Sequence, residues 1–432
     1  MSGFMRRSEE MADPVRLRAE RLATASSCCG FLGEVTLTDS AVIILFAGML
    51  GAGDALSMIT TSALPLLNGL CIIPMAGLAM KIGMRRQILR ACFCASAAYF
   101  TAVASPFFGE AGVMVLIASV FLFAFSLTGF IAGWFPLLDT FLEPERRTLF
   151  FSRMRFCHQL SGTVFLFLVG FVIGGNPPVW GLQLVLLAAA VIFTGRAAAI
   201  SRIPVFEGRQ NESAGFLSGL NTAVGNKPMA GFSLYFFLLN LTAFGTVPLM
   251  MLYLKNGLNA PDNVIVLISA CSLSGMLFGY LCIGRLLKRI GMKHTFLLLH
   301  FIFFAVNGGL FLIGGRSMAT YLLIAFFLLV YSFAAAASSI VASAEMMKLA
   351  SPGNKIMAMA FNGAFFYGGS GLSRFLTSLL LGSGMFAAEW QLGTTTVCRY
   401  RTFLLLYCAA ILLAAPFLLL VPAVNSGKSN KP

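Results

Sequence analysis

Three ionisable side chains interrupt stretches that are otherwise apolar: Glu34 and Asp39 in GFLGEVTLTDSAVIILF, and Arg374 in GGSGLSRFLTSLLLG. A charge in such surroundings is costly to keep and usually has a task. A carboxyl group can take up and release a proton, and a guanidinium can hold an anion in its planar donor fork. At 1.5 Å per residue, Glu34 lies about 18 Å along a helix starting near Leu22, and Arg374 about 27 Å along one starting near Ile356. Asp39 reaches a height similar to that of Arg374, so one reading pairs them. Two readings stand beside it: Arg374 meets an anionic substrate, or its head turns out to the lipid headgroups. For Glu34 the alternative is a shorter first helix beginning near Ser40, which leaves Glu34 and Asp39 at the surface.

The other reactive groups are scattered. His158 and Gln159 open one apolar run, and His300 sits inside another, LLLHFIFF, where a lone histidine reads as packing. The sequence has no H-E-x-x-H, no G-x-S-x-G and no Walker A loop, so neither a metalloprotease, a serine hydrolase nor an ATP-driven pump is indicated. Ten cysteines include no C-x-x-C pair and read as small apolar side chains. No cofactor and no metal site are expected.

These residues need a scaffold, and composition says which kind. The 432 residues are 58% hydrophobic and 11% charged, with 42 Phe and 43 Gly. Soluble chains average about 25% charged residues. Apolar runs of about 20 residues, enough to cross a bilayer, lie near 22–49, 55–80, 87–107, 112–140, 154–174 and 180–200. Six more follow near 230–254, 263–287, 294–313, 318–344, 356–383 and 401–423. The expected fold is an all-α membrane protein of about twelve spanning helices in two six-helix bundles. Residues 1–21 form an arm, 22–200 the first bundle, 201–229 a polar linker, 230–423 the second bundle and 424–432 a tail.

A net charge of +14 first suggests a nucleic-acid partner. The basic residues instead fall in short clusters between apolar runs, with 25 of the 30 Lys and Arg in the arm, the tail and alternate connections. By the positive-inside rule this places both termini in the cytoplasm. The amino terminus lacks the apolar core of a cleaved signal. The sequons at Asn211 and Asn240 fall in the linker and inside a helix, and neither is expected to carry sugar.

One basic turn is written twice. KIGMRRQIL from Lys81 returns as RIGMKHTFL from Arg289, with Gly83 and Gly291 208 residues apart; Pro144 and Pro352 share that offset. The turn falls between the second and third helix of each half, so the halves read as a parallel duplication.

GRLLKRIGMK, from Gly284 to Lys293, and AGLAMKIGMRR, from Ala76 to Arg86, resemble the G-x-L-x-D-R-x-G-R-R turn of the major facilitator superfamily of transporters. The resemblance covers roughly residues 22–423. It implies a secondary active transporter that moves a small organic solute by alternating access, with protons as the simplest energy source. It also implies a cytoplasmic gate at Lys81, Gly83, Arg85, Gly284, Arg289, Gly291 and Lys293. A central substrate cavity would be lined by Asn240, Thr242, Thr246, Ser126, Thr128, Tyr331 and Arg374, with Ser338 and Ser339 nearby. Glu34 and Asp39 would carry the proton coupling.

The chain departs from the pattern where the family carries an acidic residue in this turn: Met80 and Lys288 stand there. Glu345 and Asp139, at helix ends, could bridge to the basic turns instead. GFVIGG at 170–175 echoes an antiporter motif, with Phe171 in place of its proline. The expected partners are the lipid bilayer, a small-molecule substrate and protons, with no nucleic acid, and the chain is expected to act as a monomer in the plasma or inner membrane. Passive uniport, a non-transporting receptor or scaffold of this fold, and an intramembrane enzyme are the competing readings.

Overall fold

Proline, glycine and capping hydroxyls decide where these helices start, bend and stop. A computed structural model describes residues 13–142, 146–204, 216–351 and 354–420. Helix α1 (Asp13–Thr38) stops at Asp39, and Ser40 then starts α2 (Ala41–Met49) by accepting a hydrogen bond from the Val42 amide at 3.2 Å. The two are bent by 43°. The expected single first helix is therefore a broken pair. It also reaches back to Asp13 rather than starting near Leu22, because the RLRAERL segment continues the helix beyond the apolar run.

Helix α3 (Asp54–Ile82) ends where Gly83 adopts φ +89°, a backbone region glycine enters without strain, and α4 (Met84–Val103) follows at once. A short 3-10 turn, Ser105–Ala111, leads into α5 (Gly112–Asp139), followed by α6 (Arg147–Val172) and α7 (Val179–Ser201). After the linker come α8 (Phe216–Gly225), α9 (Lys227–Ala243) and α10 (Thr246–Leu252), the last extended by a π turn over Tyr253–Gly257. Helix α11 (Asp262–Leu312) is bent at Gly291, whose φ is +73°, so it holds the eighth and ninth apolar runs. Helices α12 (Met318–Leu349), α13 (Lys355–Gly382), α14 (Arg399–Ala414) and α15 (Phe417–Leu420) complete the chain.

Two details differ from the sequence expectation. The polar linker is helical from Phe216, where α8 lays an apolar side on α13 and α9. An antiparallel hairpin of β1 (Glu389–Leu392) and β2 (Thr395–Cys398) stands between α13 and α14. Its turn glycine, Gly393, has φ +62°. Pro144, Pro352, Asn211, the arm before residue 13 and the 424–432 tail lie outside the described residues, as do the side chains of Met80, Asp139 and Lys288.

Among the described residues, eight helical stretches are long and apolar enough to cross a membrane, and nine if α1 and α2 count as one. Helices α4, α13 and α14 are shorter or more polar and complete the twelve-span layout. The seventh span repeats the break of the first: α9 and α10 part at Phe244 and Gly245.

The two halves meet mainly where α3 packs on α13 and α6 on α11. Glycine makes the first contact close. A Cβ on Gly69 would lie 2.5 Å from the Gly368 Cα, and one on Gly371 would lie 2.3 Å from the Leu66 amide nitrogen. In a bilayer such small-residue faces let backbones touch and gain dispersion energy that lipid would otherwise supply.

Candidate functional site

Two prolines leave gaps that one side chain fills. Pro65 in α3 has no N–H to give the Thr61 carbonyl four residues earlier, and Pro248 in α10 fails Phe244 in the same way. An unpaired carbonyl is costly away from water. Arg374 on α13 supplies both donors: Nη1 reaches the Thr61 oxygen at 2.9 Å and Nε the Phe244 oxygen at 3.2 Å. Nη1 also lies 2.7 Å from Asp39 Oδ1, at the break between α1 and α2. The Arg374 side chain is 9% exposed and that of Asp39 is 49% exposed. One guanidinium thus joins the broken first helix and α3 of one half to the broken first helix of the other. Of the three sequence readings for Arg374, the structure holds the pairing with Asp39.

Glu34 lies inside α1, and its partner is Arg196 on α7. Arg196 is buried in α7, and its Nη2 stands 3.4 Å from Glu34 Oε2. Its Cζ lies 4.2 Å from the Phe130 ring centre and 5.2 Å from that of Phe193. Like Arg374, Arg196 is a basic side chain buried within a helix. The signal was available in FTGRAAA, where small residues flank the arginine on an apolar helix, but its nearness to the helix end reads as a topology charge.

The expected cavity residues are placed in helix packing in this conformation. Asn240 is fully buried and donates to the Phe366 carbonyl at 3.0 Å. Thr246 donates to Asn307 at 2.9 Å, Tyr331 to the Ala243 carbonyl at 2.6 Å and Thr128 to Asn68 at 2.8 Å. Ser126, Thr242, Ser338 and Ser339 bond carbonyls of their own helices. Only Arg374 of this set is bonded to Asp39, and none is bonded to Glu34. His158 pairs with Ser27 at 3.0 Å and stacks on Phe31, while His300 bonds the Tyr235 hydroxyl at 2.8 Å.

At the basic turns, Arg85 donates to the Ser201 carbonyl at 2.6 Å, within its own half. Gly83 and Gly291 supply the positive-φ bends; Lys81, Arg289 and Lys293 flank them, and Gly284 lies inside α11. Among the described residues, Glu345 bonds Lys348, one turn further along its own helix, at 3.2 Å, and not the basic turns.

The hydrogen bonds between halves are unevenly distributed. At the end of the bundle where α3 begins, Asp54 accepts from Asn256 at 2.6 Å and also bonds Arg399 and Tyr400. Ser378 donates to the Ala55 carbonyl at 2.7 Å, and the Asp262 amide to the Gly175 carbonyl at 2.9 Å. Nearer the middle come the Ala41 amide on Ser269, the Arg374 contacts, and Gln159 on the Leu273 carbonyl at 3.2 Å. Towards Gly83, described residues of the two halves form no such bond; Ile72 beside Gly363 is an apolar contact.

Residues 26–373 match the family model described as Major Facilitator Superfamily. Among solved structures, a mutant of the nucleoside transporter NupG is similar with a TM-score of 0.70 at 14% identity, covering 94% of this chain and 100% of that one. A D-xylose-proton symporter gives 0.71 at 10% identity, covering 96% and 99%. A bacterial homologue of the iron transporter ferroportin gives 0.68 at 12% identity in its inward-facing state, covering 95% and 99%. Its outward-facing state gives 0.62 at 13%, covering 94% and 99%. No curated protein matches the chain. With the family model spanning most of the sequence and the twelve-span layout beneath it, the chain belongs to the Major Facilitator Superfamily of transporters.

Proposed function

We propose that this protein is a secondary transporter that moves a small organic solute by alternating access, driven by protons. Its moving units are residues 22–200 and 230–423, acting within a monomer. The Gly83 end faces the cytoplasm with both termini, in a plasma or inner membrane, as the distribution of Lys and Arg supports.

One observation carries this reading: Arg374 closes the proline gaps of both halves and pairs with Asp39 across their boundary. A rigid scaffold has no need to hang a joint on a half-exposed carboxylate, whereas a gate does. Neutralising Asp39 removes the charge that holds Arg374 and so favours separation of the halves at the Asp54 end. The arrangement of polar contacts supports an inward-facing state, sealed at the Asp54 end, with no hydrogen bond between the halves beyond Gln159 among the described residues. Glu34, partly exposed and paired with Arg196, is the proton carrier, with Asp39 as the gate carboxylate.

Reconstitution into vesicles tests this. Solute classes that stabilise the purified protein against heat would be offered with and without an inward proton gradient. Uptake should rise with the gradient, and Glu34→Gln should abolish that dependence while sparing solute exchange. Uptake indifferent to the gradient makes the protein a passive uniporter, and no flux for any stabilising solute makes it a receptor or scaffold.

A further inference from the structure

Arg196 is built as though something besides Glu34 binds it. A guanidinium carries five N–H donors in a planar fork, and a carboxylate normally meets it through two short parallel bonds. Here a single contact exists, and it is long at 3.4 Å. Nε and Nη1 are buried with no hydrogen-bond partner among the described residues. Their position is fixed, not accidental. The Phe130 ring lies under the guanidinium, and α1 is reduced to glycine to admit it: a Cβ on Gly30 would lie 1.6 Å from Nε and 2.0 Å from Nη2. Of the pair, the carboxylate is the more exposed part, with the Glu34 side chain 23% exposed against 4% for Arg196.

We propose that Arg196 is the binding group for an anionic substrate, a carboxylate or phosphate of a small organic acid, and that the anion replaces Glu34 as Glu34 takes up a proton. This rests on the reading of Glu34 as the proton carrier and extends it to substrate class and stoichiometry. Charge balance is the reason. The resting pair is neutral, and an anion added to it would leave an uncompensated negative charge in an enclosed site. A proton from water on a Glu34 oxygen cancels that charge. The guanidinium then gives its free N–H groups to the anion, so one proton and one negative charge occupy the site together.

The surroundings carry charges of both signs and come from both halves. Asp39 and Cys29 stand on α1, His158 and Arg155 on α6 and Cys92 on α4. Tyr367 on α13 and Tyr280 on α11 come from the other half, and Tyr367 lies within electrostatic reach of both Glu34 and Arg155. Arg155 adds positive potential on the α6 side and Asp39 negative potential on α1, and a bound anion would be sensed by both halves.

Calorimetry on the full-length protein in detergent tests this with benzoate, succinate and inorganic phosphate, using glucose and a nucleoside as neutral probes. Titrations in two buffers of different ionisation heat count protons. At least one anion should bind with about one proton taken up per anion, and its affinity should fall about tenfold per pH unit on raising pH. Preference for the carboxylates or for phosphate identifies the headgroup. Glu34→Gln should bind the same anion with no proton uptake and no pH dependence. Gly30→Ala, which changes no charge, and Arg196→Lys should each weaken binding at least tenfold; either suffices if the other does not fold.

Binding by neutral probes alone, anion binding without proton uptake, or binding unchanged in Arg196→Lys overturns the inference. Transport of a neutral solute would sink this assignment and leave the transporter standing. Anion binding with no flux in vesicles would do the reverse.

Discussion

Arg374 and Asp39 lie 2.7 Å apart across the boundary between the two halves, the arginine buried and the aspartate half exposed. The asymmetry matters because the buried partner cannot shed its charge, while the more exposed one is a carboxylate that protonation neutralises. Removing the aspartate therefore strands a cation among helices. Removing both partners does not.

Asp39→Ala is expected to destabilise the protein by about 3–5 kcal/mol, the range for an uncompensated buried charge. Asp39→Ala combined with Arg374→Gln should lose less than that single change. Thermal unfolding of the four proteins of the cycle checks this, and single-variant losses that simply add in the double variant would mean the pair is not coupled.

The proline gaps give a second expectation. Pro65→Ala restores the N–H that the Thr61 carbonyl lacks, so Arg374 is no longer needed there. In an Arg374→Gln background, Pro65→Ala should recover roughly 1 kcal/mol, one hydrogen bond's worth. In the native background it should change stability little. Melting temperatures of the two pairs decide the matter.

Close packing of α3 on α13 gives a third. Gly69→Ala forces a Cβ to within 2.5 Å of the Gly368 Cα, an overpacking that costs about 1–3 kcal/mol. Gly231→Ala on α9 has no atom within 4 Å of the added carbon and should be neutral. Equal melting temperatures for the two variants would contradict the packing described.

Much of this fold is legible in the sequence because its causes are local. Apolar runs separated by charge mark the spans, and the repeated Gly83 and Gly291 turns mark the halves. Even the Asp39–Arg374 pair follows as one option from counting residues along two helices. What is not legible is lateral placement. A rise per residue gives height in the membrane but not which helix stands alongside, so Arg196 and Glu34, 162 residues apart, could not be matched. The prolines were a missed signal: each one in an apolar helix announces an unpaired carbonyl four residues back, and Pro65 and Pro248 announce the same guanidinium. The hairpin was readable too, since EWQLGTTTV has a turn glycine between alternating residues.

On the proposed function, the halves part and close at the Asp54 end. The most direct measurement is the distance distribution between spin labels at Gly53 and Gln391 in lipid nanodiscs, for the native protein and for Asp39→Asn. Movement of population from a short distance to a longer one when Asp39 is neutralised is the predicted result. A single short distance in both proteins, unmoved by pH or by substitution, would contradict it.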